Sequence, residues 1–129
     1  MQSNEEKNCA QVVLGSFSES LGLGKEKAEA LSAPFGGGRY AGETCGCVTA
    51  ATMVLGMAYD GTELFEKVKA FDEAFAEENG HIVCKDILGH DFSQPSDLEA
   101  AYADGSVQSH CPRCIESSIS ILKKLLEEE

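Results

Sequence analysis

Apolar residues recur every three or four positions along most of the chain, a spacing that predicts amphipathic helices rather than strands. The first set is Cys9, Val12, Val13, Phe17 and Leu21. Ser3 and Glu6, three residues apart, predict a capping box ahead of this set, and Gly22 and Gly24 predict the end of the helix. Cys9 is therefore expected on the apolar face of a first helix.

Two further helices follow from the same pattern. Residues 25–32 predict a short second helix that ends before Pro34. A third helix begins near Cys45 and runs to about Tyr59. Small residues are frequent in this third helix and allow neighbouring elements to approach its backbone closely. We therefore expect it at the centre of the fold.

The second half of the chain predicts one long helix, two short helical segments and a final helix. Thr62 is a suitable cap for the long helix, and Asn79-Gly80 closes it. Its inward stripe is Leu64, Val68, Phe71 and Phe75. The short segments span 84–88 and 96–102, and the last helix starts around Ser109 to Pro112. Because no strand pattern of useful length appears, the chain predicts an all-α fold, a compact bundle of about five to six helices in a single domain over residues 1–129.

The net charge of the chain disfavours some classes of binding partner. The chain has 10 Lys plus Arg against 22 Asp plus Glu, a formal net charge of −12. This sign argues against nucleic acid, whose phosphates attract basic proteins, and against a polybasic membrane contact. No apolar run approaches the ~20 residues that span a bilayer, and the first residues have neither the basic start nor the apolar stretch of a secretory signal. We expect no membrane insertion and a cytoplasmic location.

Cysteine is the residue type that most distinguishes this sequence. Six occur in 129 residues: Cys9, Cys45, Cys47, Cys84, Cys111 and Cys114. In a reducing compartment this density indicates metal or redox chemistry before structural disulfides. Several of the six fall at predicted helix starts, so we expect them to converge at one end of the bundle.

The two close pairs predict different things. Cys111 and Cys114 flank Pro112 and Arg113, and Pro favours the first helical position, which would make Cys111 the cap residue. The positive end of the helix dipole would then lower the pKa of the Cys111 thiol. On a regular helix the side chains of Cys45 and Cys47 diverge, so only one of them is expected to point inward.

Four blocks of the sequence together resemble a known family. The blocks are Asn8-Cys9-Ala10-Gln11; Phe35-Gly36-Gly37-Gly38 followed by Gly42-Glu43-Thr44-Cys45-Gly46; Cys84-Lys85-Asp86-Ile87-Leu88-Gly89; and Cys111 with Ile115, Ser118, Ile121 and Leu122 behind it. In order and spacing they are similar to the family named for its cysteine pattern, C-GCAxxG-C-C.

The resemblance implies a redox or metal role carried by four shared cysteines, with an iron–sulfur cluster as the cofactor. The corresponding positions are Cys9, Cys45, Cys84 and Cys111. Whether Cys45 or Cys47 corresponds to the cysteine of the family's second block stays open. Cys47 and Cys114 depart from the pattern and are possible extra ligands.

Three hypotheses follow. The first is an iron–sulfur electron carrier or redox sensor, which needs a redox partner protein rather than a substrate. The second is a thiol–disulfide oxidoreductase without a cofactor, in which Cys111 reacts and Cys114 resolves. The third is a binding module for zinc or another soft cation. Cluster type, reduction potential and a homodimer are all left open by the sequence.

Overall fold

A computed structural model of the protein describes residues 7–36, 38–39, 43–83, 86–87 and 106–127. Five α-helices make up this part of the chain. They are α1 (Cys9–Ser16), α2 (Lys25–Ser32), α3 (Gly46–Ala58), α4 (Gly61–Asn79) and α5 (Ser106–Glu127). A single turn of 3-10 helix, Ala33–Phe35, follows α2. Extended pairing among the described residues is limited to one isolated antiparallel bridge between Thr44 and Val83. The predicted all-α bundle is confirmed.

Helix α3 occupies the centre of the packing, as its small residues predicted. It contacts α1, α4 and α5. Four of its residues, Ala50, Ala51, Val54 and Leu55, have no solvent exposure. The short side chains at two of these positions let neighbouring helices pack against the α3 backbone, and the longer ones fill the space between them.

Helices α4 and α5 close the other side of the core. Phe71 and Phe75 are buried on α4, with ring centroids 5.8 Å apart. The backbone carbonyl of Leu125 near the end of α5 accepts hydrogen bonds from the Tyr59 hydroxyl (3.2 Å) and from the Lys67 ammonium (3.0 Å). These two bonds satisfy a carbonyl in the last turn of α5, where helices lack internal donors.

The long helix α5 is amphipathic. Ile121, Leu122 and Leu125 are buried, whereas Lys123 and Lys124 between them are exposed. None of the helices in the described ranges combines the length and the apolar composition needed to cross a bilayer.

The first helix starts later and ends earlier than predicted. Its cap is Asn8, whose side-chain oxygen accepts from the Gln11 N–H (3.0 Å), while the Gln11 side chain accepts from the Asn8 N–H (2.9 Å). The capping box predicted at Ser3 and Glu6 lies outside the described residues. Helix α1 begins instead at Cys9, after a capping box formed by Asn8 and Gln11. After Ser16 the chain continues in turns rather than reaching Gly22 as a helix.

The starts of α4 and α5 also differ from prediction. Asp60, in an extended conformation, is the cap of α4, so Thr62 lies within the helix. Helix α5 begins at Ser106, which places Pro112 in its interior. Proline in a helix interior removes one backbone hydrogen bond, and α5 nevertheless runs through it. The positional preference of proline for the first turn was therefore a misleading signal here.

Two predicted segments fall largely outside the described residues. Of the helical turn expected over 84–88, residues 86–87 are described, and they are helical. The short helix expected over 96–102 lies outside the described ranges, as does Cys84.

Helices α1 and α3 approach each other closely at Gly46, the first residue of α3. A Cβ at this position would lie 2.7 Å from the Phe35 carbonyl oxygen, 2.8 Å from the Cys9 Sγ and 3.2 Å from the Ala10 Cβ. Two of these distances are shorter than a carbon atom tolerates, and one of the two atoms belongs to the backbone. Only glycine therefore allows the start of α3 to rest against the first turn of α1.

We predict that Gly46→Ala destabilises the protein by about 1–3 kcal/mol, the usual cost of overpacking. Gly56→Ala is the matched control on the same helix, because a Cβ at Gly56 meets nothing within 4 Å. It should stabilise the protein by up to about 1 kcal/mol through helix propensity. Urea denaturation of both variants measures the free energy of unfolding. Equal effects of the two substitutions would show that the contact at Gly46 carries no constraint.

Candidate metal centre

Three cysteines from two helix starts form a compact cluster. The Sγ atoms of Cys9, Cys45 and Cys47 all lie within 4.8 Å of one another, and we call these residues the thiol triad. None of the five cysteines whose side chains are described forms a disulfide bond. The triad brings together soft sulfur donors, with no carboxylate or imidazole in the group among the described residues.

Cys9 owes its position to the residues that cap α1. The Asn8 side-chain amide donates to the Ala33 carbonyl (2.8 Å), and the Gln11 side-chain amide donates to the Glu29 carbonyl (3.1 Å). These bonds join the first turn of α1 to α2 and to the turn after it. Cys9 is the first residue of α1, so its sulfur is held by the same network.

Cys45 and Cys47 are brought together because Cys45 is not part of the helix that it precedes. It is the cap residue of α3, with φ −54° and ψ 135°. Its carbonyl accepts from the N–H groups of Val48 (2.9 Å) and Thr49 (3.0 Å), and its own N–H donates to the Ile82 carbonyl (2.7 Å). The prediction that only one of the two side chains points inward was wrong, since it assumed helical geometry at both positions.

The helix ends at the triad supply a favourable field. Cys9 is the first residue of α1, and Cys45 and Cys47 are the cap and second residues of α3. The N-terminal end of a helix carries a partial positive charge, which stabilises anions such as thiolates and negatively charged metal–thiolate complexes.

Crowding of the thiols opposes their ionisation. Hydrogen bonding to Cys45 is the largest cause that raises the pKa of the Cys47 thiol well above its usual range, followed by hydrogen bonding to Cys9 and by burial. Cys47 has no exposed surface. Without a cation to balance them, several thiolates cannot coexist here, so Cys47 is a protonated thiol near neutral pH.

The pKa of Cys111 is raised, whereas the sequence predicted that it would be lowered, and part of the increase comes from the triad. Burial, and then the charges of Cys9 and Cys45, raise the pKa of its thiol to about 12. The expected lowering required Cys111 to cap a helix, but Cys111 lies inside α5, so the positive helix end lies elsewhere. The thiol of Cys111 is therefore near enough to Cys9 and Cys45 to respond to their charges.

Cys114 belongs to a different set of contacts. Its side chain is 2% exposed, and its thiol donates to the Asn79 side-chain oxygen at 3.7 Å. The Asn79 amide donates to the Ser117 hydroxyl (3.2 Å), which donates to the Glu78 carboxylate (2.6 Å). Cys114 thus helps to join α5 to the end of α4, and it is not in the triad.

Cys84, the remaining predicted ligand, lies outside the described residues. The residue before it in the sequence, Val83, forms the antiparallel bridge with Thr44, the residue before Cys45. The residues that precede Cys45 and Cys84 in sequence are therefore paired with each other through the backbone.

The capping role of Asn8 and Gln11, which positions Cys9, was missed from the sequence. The spacing of Asn8 and Gln11 is that of a capping box and could have revealed the true start of α1. Gly46 was predicted only as one of several small residues that allow close approach to the third helix, because its specific neighbours, Cys9 and Phe35, are distant in sequence.

Comparison with known proteins gives one result that bears on this site. No curated protein and no solved structure matches the chain. A family model described as "Putative redox-active protein (C_GCAxxG_C_C)" matches residues 7–125, which include all six cysteines. Since the match covers nearly the whole chain, the protein belongs to the C_GCAxxG_C_C family.

Proposed function

We propose that this protein carries an iron–sulfur cluster on its gathered cysteines and uses it for electron transfer or redox sensing. The observation that carries the proposal is the thiol triad, in which three sulfur atoms lie within 4.8 Å of one another. The family description as redox-active adds the second support. The cluster would supply one-electron redox chemistry, which thiols alone do not offer.

The proposed ligands are Cys9, Cys45, Cys84 and Cys111. Cys9 and Cys45 are members of the triad, and the pKa of Cys111 responds to the charges of both. Cys84 is included because Val83 bridges to Thr44 beside Cys45. Cysteine thiolates are the standard ligands of two-iron and four-iron clusters, so this donor set fits the cofactor.

A thiol–disulfide oxidoreductase built on Cys111 and Cys114 has less support. A reactive cysteine needs a lowered pKa, because the thiolate is the nucleophile. The pKa of Cys111 is instead raised to about 12, and Cys114 is buried and bonded to Asn79. A zinc module would use the same thiols as a cluster, but zinc has no redox chemistry, whereas the family is described as redox-active.

An electron carrier of this kind works with a partner protein. The net charge of −12 favours a partner with a basic docking face, because opposite surface potentials speed association. We propose such a redox partner rather than a small-molecule substrate.

Protein purified without oxygen should contain iron and acid-labile sulfide in stoichiometric amounts, with visible charge-transfer absorption. Single substitutions to Ser at Cys9, Cys45, Cys84 or Cys111 should each lower the iron content strongly. Cys114→Ser is the matched control, because Cys114 is a buried cysteine outside the triad, and it should retain iron. Protein that holds no iron and shows no colour, even after anaerobic reconstitution, would rule out the cluster.

Metal binding should release protons and strengthen as pH rises. Metals bind thiolates, whereas the pKa of Cys111, a proposed ligand, is about 12, so its thiol is protonated near neutral pH. Each displaced proton makes the apparent affinity about tenfold higher per pH unit. Cobalt(II) titrations followed by sulfur-to-cobalt charge-transfer absorption between about pH 6.5 and 8.5 measure this slope. A cobalt affinity that does not change over this range would contradict the assigned protonation states.

A further inference from the structure

The chain has one more cysteine at the centre of the site than its family pattern requires. The pattern C_GCAxxG_C_C contains a single cysteine in its central block. Here that block contains two, Cys45 and Cys47, and both belong to the thiol triad. The second thiol is not peripheral, because Cys47 has no exposed surface and its sulfur lies within 4.8 Å of the sulfurs of Cys45 and Cys9.

We propose that the thiol triad is also a three-thiolate site for a single copper(I) ion, with Cys47 as the ligand that completes it. The inference rests on the proposed function only in that Cys9 and Cys45 serve both centres. The copper ion and the iron–sulfur cluster would therefore exclude each other.

The spacing of the sulfur atoms suits one ion. Three sulfurs arranged around a metal at about 2.3 Å from each lie about 4 Å apart. All three distances in the triad are within 4.8 Å, so small side-chain rotations suffice to bring the sulfurs to an ion. A cluster with several irons instead distributes its ligands over different metal atoms. The proposed cluster ligands therefore include Cys84 and Cys111 from outside the triad.

The chemistry of the donors selects a soft cation. Thiolates prefer copper(I), zinc and iron–sulfur clusters over magnesium, calcium or manganese, and the group contains sulfur donors alone. Three-coordination satisfies copper(I), whereas zinc in a structural site takes four ligands. Binding involves no change of oxidation state: copper enters as copper(I), and the three thiols release three protons to solvent.

The surroundings fit a charged copper–thiolate complex. Three thiolates and one copper(I) carry a net charge of −2, and the N-terminal ends of α1 and α3 both meet the triad. Cys47 is fully buried and Cys45 is 5% exposed, whereas Cys9 is partly exposed. Burial excludes water as a competing ligand, and the Cys9 side offers a route for the ion.

The test is an anaerobic titration of the apo form of the full chain with copper(I), in competition with a chromogenic copper(I) chelator. Wild type should bind one copper(I) per chain. Cys47→Ala should weaken copper(I) binding by at least about 100-fold, because the loss of a direct ligand costs more than the loss of an outer-shell contact. Cys114→Ala is the matched control and should bind copper(I) as wild type does.

Iron and sulfide contents of the same variants, after anaerobic reconstitution, separate this inference from the proposed function. Cys47→Ala should keep its iron and sulfide. Cys47→Ser should show the same weakened copper(I) binding as Cys47→Ala. Circular dichroism verifies that both variants fold. Equal copper(I) affinity of wild type and Cys47→Ala would overturn the inference, and so would loss of iron from Cys47→Ala, since Cys47 would then be a cluster ligand. Cys47-dependent copper binding in a protein that never takes up iron would support the copper site and refute the cluster.

Discussion

The contact between the first turn of α1 and the start of α3 is the constraint on which the site depends. It exists because Gly46 has no side chain: a Cβ would fall 2.8 Å from the Cys9 sulfur and 2.7 Å from the Phe35 carbonyl oxygen. This approach sets the Cys9 sulfur beside Cys45 and Cys47. The same glycine therefore links helix packing in the core to the formation of the thiol triad.

Ordinary helix-capping bonds then hold the sulfur atoms in place. Asn8 and Gln11 bind each other and also bind the backbone of Ala33 and Glu29, and so fix the start of α1. Cys45 caps α3 with its backbone while its N–H binds Ile82. The site is thus built on helix ends rather than on long loops, an arrangement that holds ligands more precisely. Hydrogen bonding among the gathered thiols raises the pKa of Cys47, and burial is the main cause that raises the pKa of Cys111. A bound cation relieves both energetic costs.

Much of the fold was accessible from the sequence, because helical periodicity and turn residues act locally. Residues 25–32 were predicted as a helix and form one, and the helix capped by Cys45 ends beside Tyr59 as expected. The site was less accessible. The convergence of Cys45 and Cys47 depends on the non-helical backbone of Cys45. The environment of Cys111 depends on α5 continuing through Pro112. Both are consequences of tertiary packing that overrides a local preference.

X-ray absorption at the iron edge, on protein prepared without oxygen, tests the central claim most directly. An iron–sulfur cluster held by the cysteines predicts a first coordination shell of sulfur alone and a second shell of iron at short distance. Oxygen or nitrogen atoms dominating the first shell, with no iron neighbour, would contradict the account, because the triad would then not be the place where iron binds.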